Sequence, residues 1–379
     1  MKVLIGMTRP DTIASGSFKH VVQVGDRFRK EGVQVAYVIG RSGPVTDYLE
    51  LCGYKVYKLN FLERDLNPFK DFISLLQLIW TICLFRPTVC SWHTAKIGAL
   101  GRIASFVTLR KSYYVPHGIP FYESKFNPSH GKYRKLEKIL SFLPGKIIGV
   151  CDFDTEQYRN LGVSSSKLVT IENGMPEPMP EADEKPAASQ PSPVIFKTAA
   201  RFEDQKDYDT LAKAIIKLYD NYPNFQLHIY GDGKNEGRIK QLFSPLPPGV
   251  VIFYDVVKDF SKALDDADVY ILSSHWEGLP RTIIEAMSVG LPIIATDVGG
   301  VYSLIDEDKN GYLIPSQDDR KFYEALSRYV KQPELISLHG KESKSKYKYR
   351  FTLDRMLNEY VDLYLHSRFN QKTVSSADA

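Results

Sequence analysis

Two glutamates eight residues apart, Glu277 and Glu285, stand in the segment SHWEGLPRTIIEAMSVGLPIIATDVGG, Ser274 to Gly300. Glu277 falls in a loop with Gly278 and Pro280, and Glu285 in a short apolar helical pattern. Pro280 suits a first helical turn, where its missing N–H costs nothing, and Gly290 with Pro292 marks the stop. Val269–Leu272 reads as a buried strand leading in, and Ile293–Ala295 as the strand leading out. Such a turn aims unpaired backbone N–H groups and a positive dipole end at whatever lies above it, which suits a diphosphate. Carboxylates in the loop and in the helix can accept hydrogen bonds from hydroxyl groups, as sugars offer. This is the chemistry of a nucleotide-sugar site, and an ordinary βαβ unit with two solvated glutamates is the plainer alternative.

Arg201 and Lys206 lie five apart just after the strand candidate Val194–Thr198. Two cations at a strand's end can converge on one diphosphate and stabilise its charge as it departs. Gly231-Asp232-Gly233 follows another strand, but the third glycine of a G-x-G-x-x-G turn comes one place late, at Gly237. No such turn follows the first strand either, so a dehydrogenase is a poor fit. Asp266-Ala267-Asp268 is nominally D-x-D, yet it precedes a buried strand, where acids cap or solvate. The sequence holds no His/Cys cluster with ligand spacing, so neither a metal nor another cofactor is expected.

The elements that must position these residues alternate along the chain. Short apolar runs at Val3–Met7, Val33–Ile39, Thr88–Trp92, Ser112–Pro116, Ile147–Cys151 and Leu168–Glu172 read as strands. So do Val194–Thr198, Gln226–Tyr230, Val250–Phe253, Val269–Leu272 and Pro292–Thr296. Amphipathic stretches separate them, which argues for an α/β chain of parallel sheets with helices on both faces. At 379 residues two domains are expected. The Pro- and acid-rich stretch 176–193 reads as a linker between an amino-terminal half, 1–175, and a second half, 194–350. A last amphipathic helix is expected from Thr352 to about Leu365, within 351–369, followed by a disordered tail at 370–379.

Apolar content of 43% and charged content of 25% are those of an ordinary globular chain. The four cysteines are scattered, which fits a reducing cytoplasm, and no secretory leader is expected. The run Phe72–Phe85 is short for a membrane span and is broken by Gln77; its spacing of Leu75, Leu76, Ile79 and Ile82 reads as a buried helix. Net charge is only +4, but residues 101–150 hold nine Lys or Arg against two acids. Arg134, Lys135 and Lys138 cluster there, either as a solvated helix face or as a docking surface for anionic lipid or a lipid diphosphate. No motif accompanies the charge to suggest nucleic acid.

The segment around Glu277 and Glu285 resembles the E-x7-E signature of retaining GT-B glycosyltransferases of family 4. Other pieces match in order from Lys2 to about Leu365. The resemblance implies two Rossmann-like domains facing a cleft, with the last helix crossing back onto the amino-terminal domain. It implies that Arg201 and Lys206, as an R-x4-K pair, hold the donor's phosphates with Gly278 and Leu279 of the loop. Gly16, where the family has a Gly-Gly pair and this chain has Ser15-Gly16, approaches the same diphosphate from the other domain. Glu277 then lies beside the transferred sugar and Glu285 at the nucleotide ribose. Trp92-His93-Thr94-Ala95-Lys96 and Pro116-His117-Gly118-Ile119-Pro120-Phe121 resemble a form found in bacterial polysaccharide transferases. His117 is then expected at the cleft floor by the reacting centre, and His93, Arg134 and Lys135 are candidate acceptor contacts. The implied reaction is transfer, with retention, from a nucleotide-diphosphate sugar, expected to be UDP-linked, to a lipid-diphosphate-linked saccharide at the inner membrane face. A nucleotide-sugar epimerase of the same fold and a silent sugar-nucleotide-binding protein are the alternatives weighed, and the intact E-x7-E and R-x4-K sets argue against both.

Overall fold

A computed structural model describes residues 1–8, 13, 15–63, 65–123, 129–178, 193–257 and 260–366. Most of the expected linker, 179–192, and the expected tail at 370–379 lie outside the described residues.

Seven parallel strands form the first sheet: β1 (Lys2–Met7), β2 (Gln34–Gly40), β3 (Lys55–Leu59), β4 (Val89–His93), β5 (Lys111–Val115), β6 (Lys146–Gly149) and β7 (Leu168–Thr170). Their order is β3-β2-β1-β4-β5-β6-β7. Six more form the second: β8 (Val194–Ala199), β9 (Phe225–Tyr230), β10 (Val251–Tyr254), β11 (Val269–Leu272), β12 (Ile293–Thr296) and β13 (Gly311–Ile314), in the order β10-β9-β8-β11-β12-β13. Both sheets reverse strand order beside their first strand, between β1 and β4 and between β8 and β11. Ligands bind at such switch points, outside the strands' carboxyl ends. The central strands are buried on both faces, which is why they read as continuous apolar runs. This is the two-domain GT-B architecture.

Two strands were not expected from the sequence, and both are edges. β3, KVYKL, mixes two lysines with apolar residues and stays half-buried, and β13 is only four residues long. The helix Pro68–Phe85 needs a correction. Ser74, Leu78, Thr81, Ile82 and Phe85 are buried, but Phe69, Phe72, Leu76, Trp80 and Leu84 are exposed, Phe69 and Trp80 at 73% and 70%. It is therefore not a buried helix but one with an apolar face on each side. Its eighteen residues are long and apolar enough to cross a membrane by length and composition. It joins β3 to β4 in one sheet, however, and Lys96 holds its Asp71 at 2.7 Å. A crossover packed on its own sheet cannot also span a bilayer.

The last helix, Leu353–Val361, runs on through a wider turn, Asp362–His366. Thr352 caps it, accepting from the Arg355 N–H at 3.4 Å. It leaves the second domain and buries Met356, Leu357, Tyr360, Leu363 and Tyr364 against the first. Tyr113 Oη donates to the Leu363 carbonyl at 3.1 Å, and Glu172 takes a two-point contact from Arg350, both distances 2.7 Å.

Candidate active site

β11 ends at Leu272, and the chain turns through residues 273–280 before the helix Arg281–Ser288. Thr296 Oγ1, at the end of β12, accepts from the Ser274 N–H and donates to the Ser274 carbonyl, both at 2.9 Å. Gln205 Nε2 donates to the Trp276 carbonyl, and the His275 N–H donates to the Gln205 carbonyl, both at 2.8 Å. The loop bearing Arg201 and Lys206 is thus laced to the loop bearing Glu277. Behind Glu277 lies Gly299, at φ +60°, where a Cβ would come 1.8 Å from the Glu277 carbonyl oxygen. Only glycine combines that conformation with that approach.

Glu277 is nearly buried. Its Oε1 accepts from Ser274 Oγ at 2.7 Å and pairs with Lys206 Nζ, itself largely buried. Arg201 pairs instead with Glu203 at 2.9 Å, half exposed. Arg201 and Lys206 are thus seen paired with different carboxylates. Glu285 is buried on the helix Arg281–Ser288. Asp266 pairs with the buried Lys197 and Asp268 accepts from the Ile195 N–H at 2.8 Å, so the D-x-D residues serve the fold.

The amino-terminal domain closes the other side. A Cβ on Gly278 would lie 3.4 Å from the Gly118 Cα, and Asn173 Nδ2 donates to the Leu279 carbonyl at 2.8 Å. Gly16 opens the helix Gly16–Lys30, capped by Ser15, and a Cβ on Gly16 would stand 3.1 Å from Arg281 Cδ. Arg281 Nη2 donates to Gln23 Oε1 at 2.9 Å, while its buried Nη1 has no partner among the described residues. Burial pushes the Arg281 pKa down to about 10 against the pull of the Glu285 charge, so the guanidinium stays charged at neutral pH. Two helix amino ends meet beside this buried, unpaired guanidinium nitrogen, an arrangement that draws anions.

His117 follows β5 in a left-handed conformation, φ 57°. Its Nε2 lies 2.9 Å from His93 Nδ1, and His93 Nε2 lies 2.9 Å from Ser91 Oγ. His93, expected as an acceptor contact, is fully buried and engaged at both ring nitrogens; it supports His117 from beneath and offers no surface to an acceptor. His20, on the helix Gly16–Lys30, sets its ring edge-on to His117 with centroids 4.8 Å apart, and its Nε2 meets Tyr360 Oη at 3.0 Å. Burial, then Arg281, holds His117 down to about 3, and burial followed by the neighbouring imidazoles holds His20 and His93 well below the usual histidine range. All three are neutral at pH 7. Ligating atoms of the three lie within 4.8 Å of one another, a group that spacing in the sequence does not reveal. Both His93 nitrogens lie in hydrogen bonds, and the Arg281 charge acts on His117 and His20.

Arg134 and Lys135 are exposed on the helix His130–Leu140 beside Leu136 and Ile139. The helix's one buried acid, Glu137, takes Arg102 in a two-point contact at 2.8 and 2.9 Å, so Arg102 and Lys96 of the Trp92–Arg102 run are structural. Sequence reasoning missed His20, Ser274, Arg281 and the tyrosines beneath the histidines. Arg281 alone left a signal: a cation in the first turn of a helix opposes the dipole and invites an anion.

Residues 14–177 match the model of the family described as Glycosyltransferase Family 4, and residues 180–346 that of Glycosyl transferases group 1. A Haemophilus influenzae protein described as an uncharacterized glycosyltransferase is 34% identical over 329 residues, covering 85% of this chain and 88% of its own. The Escherichia coli UDP-Gal:alpha-D-GlcNAc-diphosphoundecaprenol alpha-1,3-galactosyltransferase is 26% identical over 384 residues, 98% of each chain. Among solved structures, Anabaena HepE in complex with UDP and glucose superposes with a TM-score of 0.80 at 16% identity, covering 96% of this chain and 99% of its own.

Proposed function

This chain belongs to the group 1, family 4 glycosyltransferases, and from that premise we propose that it moves a sugar, with retention, from a UDP-linked donor to a lipid-diphosphate-linked saccharide in bacterial surface polysaccharide synthesis. The observation that carries this reading is the Lys206–Glu277 pair, held in the cleft beneath a loop tied to both domains. The donor diphosphate lies at the amino ends of the helices Gly16–Lys30 and Arg281–Ser288, with Lys206 and Arg201 on its oxygens. Glu285 takes the ribose hydroxyls. As the bond from the sugar's anomeric carbon to phosphate oxygen breaks, its electron pair goes to the departing diphosphate. The acceptor hydroxyl forms the new bond on the same face and passes its proton to that phosphate oxygen. Lys206 gains most as the phosphate charge grows, so it acts on the transition state more than on the ground state. These fixed cations serve the leaving group without a metal ion. Glu277 presents an anion beside the anomeric carbon, where positive charge develops.

The acceptor's lipid diphosphate is supported by the Escherichia coli relative's named substrate. Docking on an anionic membrane is supported by two surfaces of the amino-terminal domain. One is the exposed face of Phe69, Phe72, Leu76 and Trp80; the other is the helix His130–Leu140, where Lys132, Arg134, Lys135 and Lys138 flank the exposed Ile139. Aromatic rings enter the interface while cations meet lipid phosphates.

The test offers the purified protein UDP-galactose, UDP-glucose and UDP-N-acetylglucosamine with a GlcNAc-diphospho-lipid, and reads the anomeric configuration of the product by NMR. An α-linked product is expected from one donor, with turnover at least a hundredfold lower in Glu277→Gln while circular dichroism shows the fold retained. A β-linked product would remove retention, and donor isomerisation without acceptor would make the protein an epimerase.

A further inference from the structure

A continuous hydrogen-bond chain runs from the end of the polypeptide to the cleft. Tyr364 Oη lies 2.6 Å from Ser91 Oγ, which lies 2.9 Å from His93 Nε2, and His93 Nδ1 lies 2.9 Å from His117 Nε2. Tyr364, Ser91 and His93 are buried, and His117 is only partly so. Ser91 and His93 share one face of β4 two residues apart, so the strand itself spaces two links.

The chain has a direction. Each hydroxyl has one proton to donate, and each neutral imidazole has one N–H and one acceptor nitrogen. Tyr364 Oη has Ser91 as its only partner among the described residues, and the rings of Phe28 and Tyr113 pack around it. Its proton therefore goes to Ser91 Oγ. The Ser91 proton then goes to His93 Nε2, which puts the His93 proton on Nδ1, donated to His117 Nε2. The remaining His117 proton must sit on Nδ1. Reversing every bond would strand the Tyr364 proton in a buried apolar site, which is what buried polar groups avoid. Tyr360, on the same crossover helix, meets the neighbouring ring, its Oη 3.0 Å from His20 Nε2.

We infer that Tyr364 is a positioning residue that fixes His117 in the Nδ1–H form, so that His117 offers the cleft a hydrogen-bond donor and not a base. The tautomer of a histidine is set by the bond its other nitrogen makes, and here that bond is set from the far end of the chain. A donor there, beside the unpaired Arg281 Nη1, fits an oxygen acceptor, either a sugar hydroxyl oxygen or a phosphate oxygen of the donor. The crossover helix thereby does more than close the domain pair: it fixes the proton position on a cleft residue more than two hundred positions earlier.

The test labels the histidines of the full chain with ¹⁵N and records long-range ¹H–¹⁵N correlations, which separate Nδ1–H from Nε2–H rings. There are eight histidines, and His117 is assigned by the signals lost in His117→Gln. The wild type is expected to show His117 as Nδ1–H. Tyr364→Phe, which keeps the ring and removes the hydroxyl, should mix or invert that pattern and lower kcat about tenfold, with donor KM within twofold. Ser91→Ala cuts the same chain one link nearer, should give the same spectral change, and serves if Tyr364→Phe does not fold. A wild-type His117 protonated on Nε2, or a pattern unmoved in both variants, would overturn the inference. The kcat arm rests on the transfer reaction proposed above; the spectral arm does not, so failure of one is distinguishable from failure of the other.

Discussion

Replacing His117 with glutamine should flatten part of the protein's acid sensitivity, by an amount that follows from its environment. An imidazole in an unfolded chain titrates near 6.5, whereas His117 in the folded protein is held down to about 3. Between those values the unfolded state binds more protons than the folded one. Stability is therefore intact above the unfolded value and is lost as pH falls through 6.5 toward 3. From pH 7 to pH 5 one such group removes about 2 kcal/mol, at about 1.36 kcal/mol per unit. Any folded value below about 4 gives nearly the same figure over that window, and the ring's partial exposure lowers it somewhat. Glutamine does not titrate and keeps a donor and an acceptor for His93. Urea unfolding at pH 7 and pH 5 should thus show the wild type losing about 2 kcal/mol more than His117→Gln. His20 and His93 are held down first by burial, which both proteins share, so most of the difference comes from His117. Equal losses in the two proteins would refute a buried neutral imidazole at this position.

Gly299→Ala should move Glu277, since the new Cβ meets its carbonyl oxygen; melting should fall by an amount equivalent to about 1–3 kcal/mol and donor turnover more than tenfold, and unchanged turnover would count against the backing role. Arg281→Gln should weaken UDP about tenfold or more while uridine binding stays within twofold by calorimetry, because only a diphosphate can use the unpaired Nη1; equal weakening of both would reassign Arg281 to the fold. Phe72→Glu with Trp80→Glu should abolish sedimentation with anionic vesicles and leave turnover on a short-chain soluble acceptor within twofold. Vesicle binding by the wild type that survives these changes, or its absence at low salt, would remove this face from the membrane.

What the sequence reveals and what it hides divide along a physical line. The positions of Glu277 and Lys206 in loops after apolar strands, and of Gly16 at the start of a helix, are legible because strands buried on both faces announce themselves as apolar runs. β3 and β13 are not, because an edge strand half in water loses that run. The helix Pro68–Phe85 misleads for the opposite reason: apolar residues all round imply burial, and only the packing shows that the side bearing Phe69 and Trp80 is left open. His93 shows the deeper limit. Its motif places it near the cleft, yet its role depends on Ser91 two residues before it, His117 further along and Tyr364 at the other end of the chain. No local spacing encodes that path, because it exists only once the last helix has crossed between domains. Residues that meet substrate follow strand ends and can be read from short motifs. Residues that set the charge and proton positions of those groups come from whatever the fold brings beneath them, which is why His20 and Tyr364 became visible only in the structure.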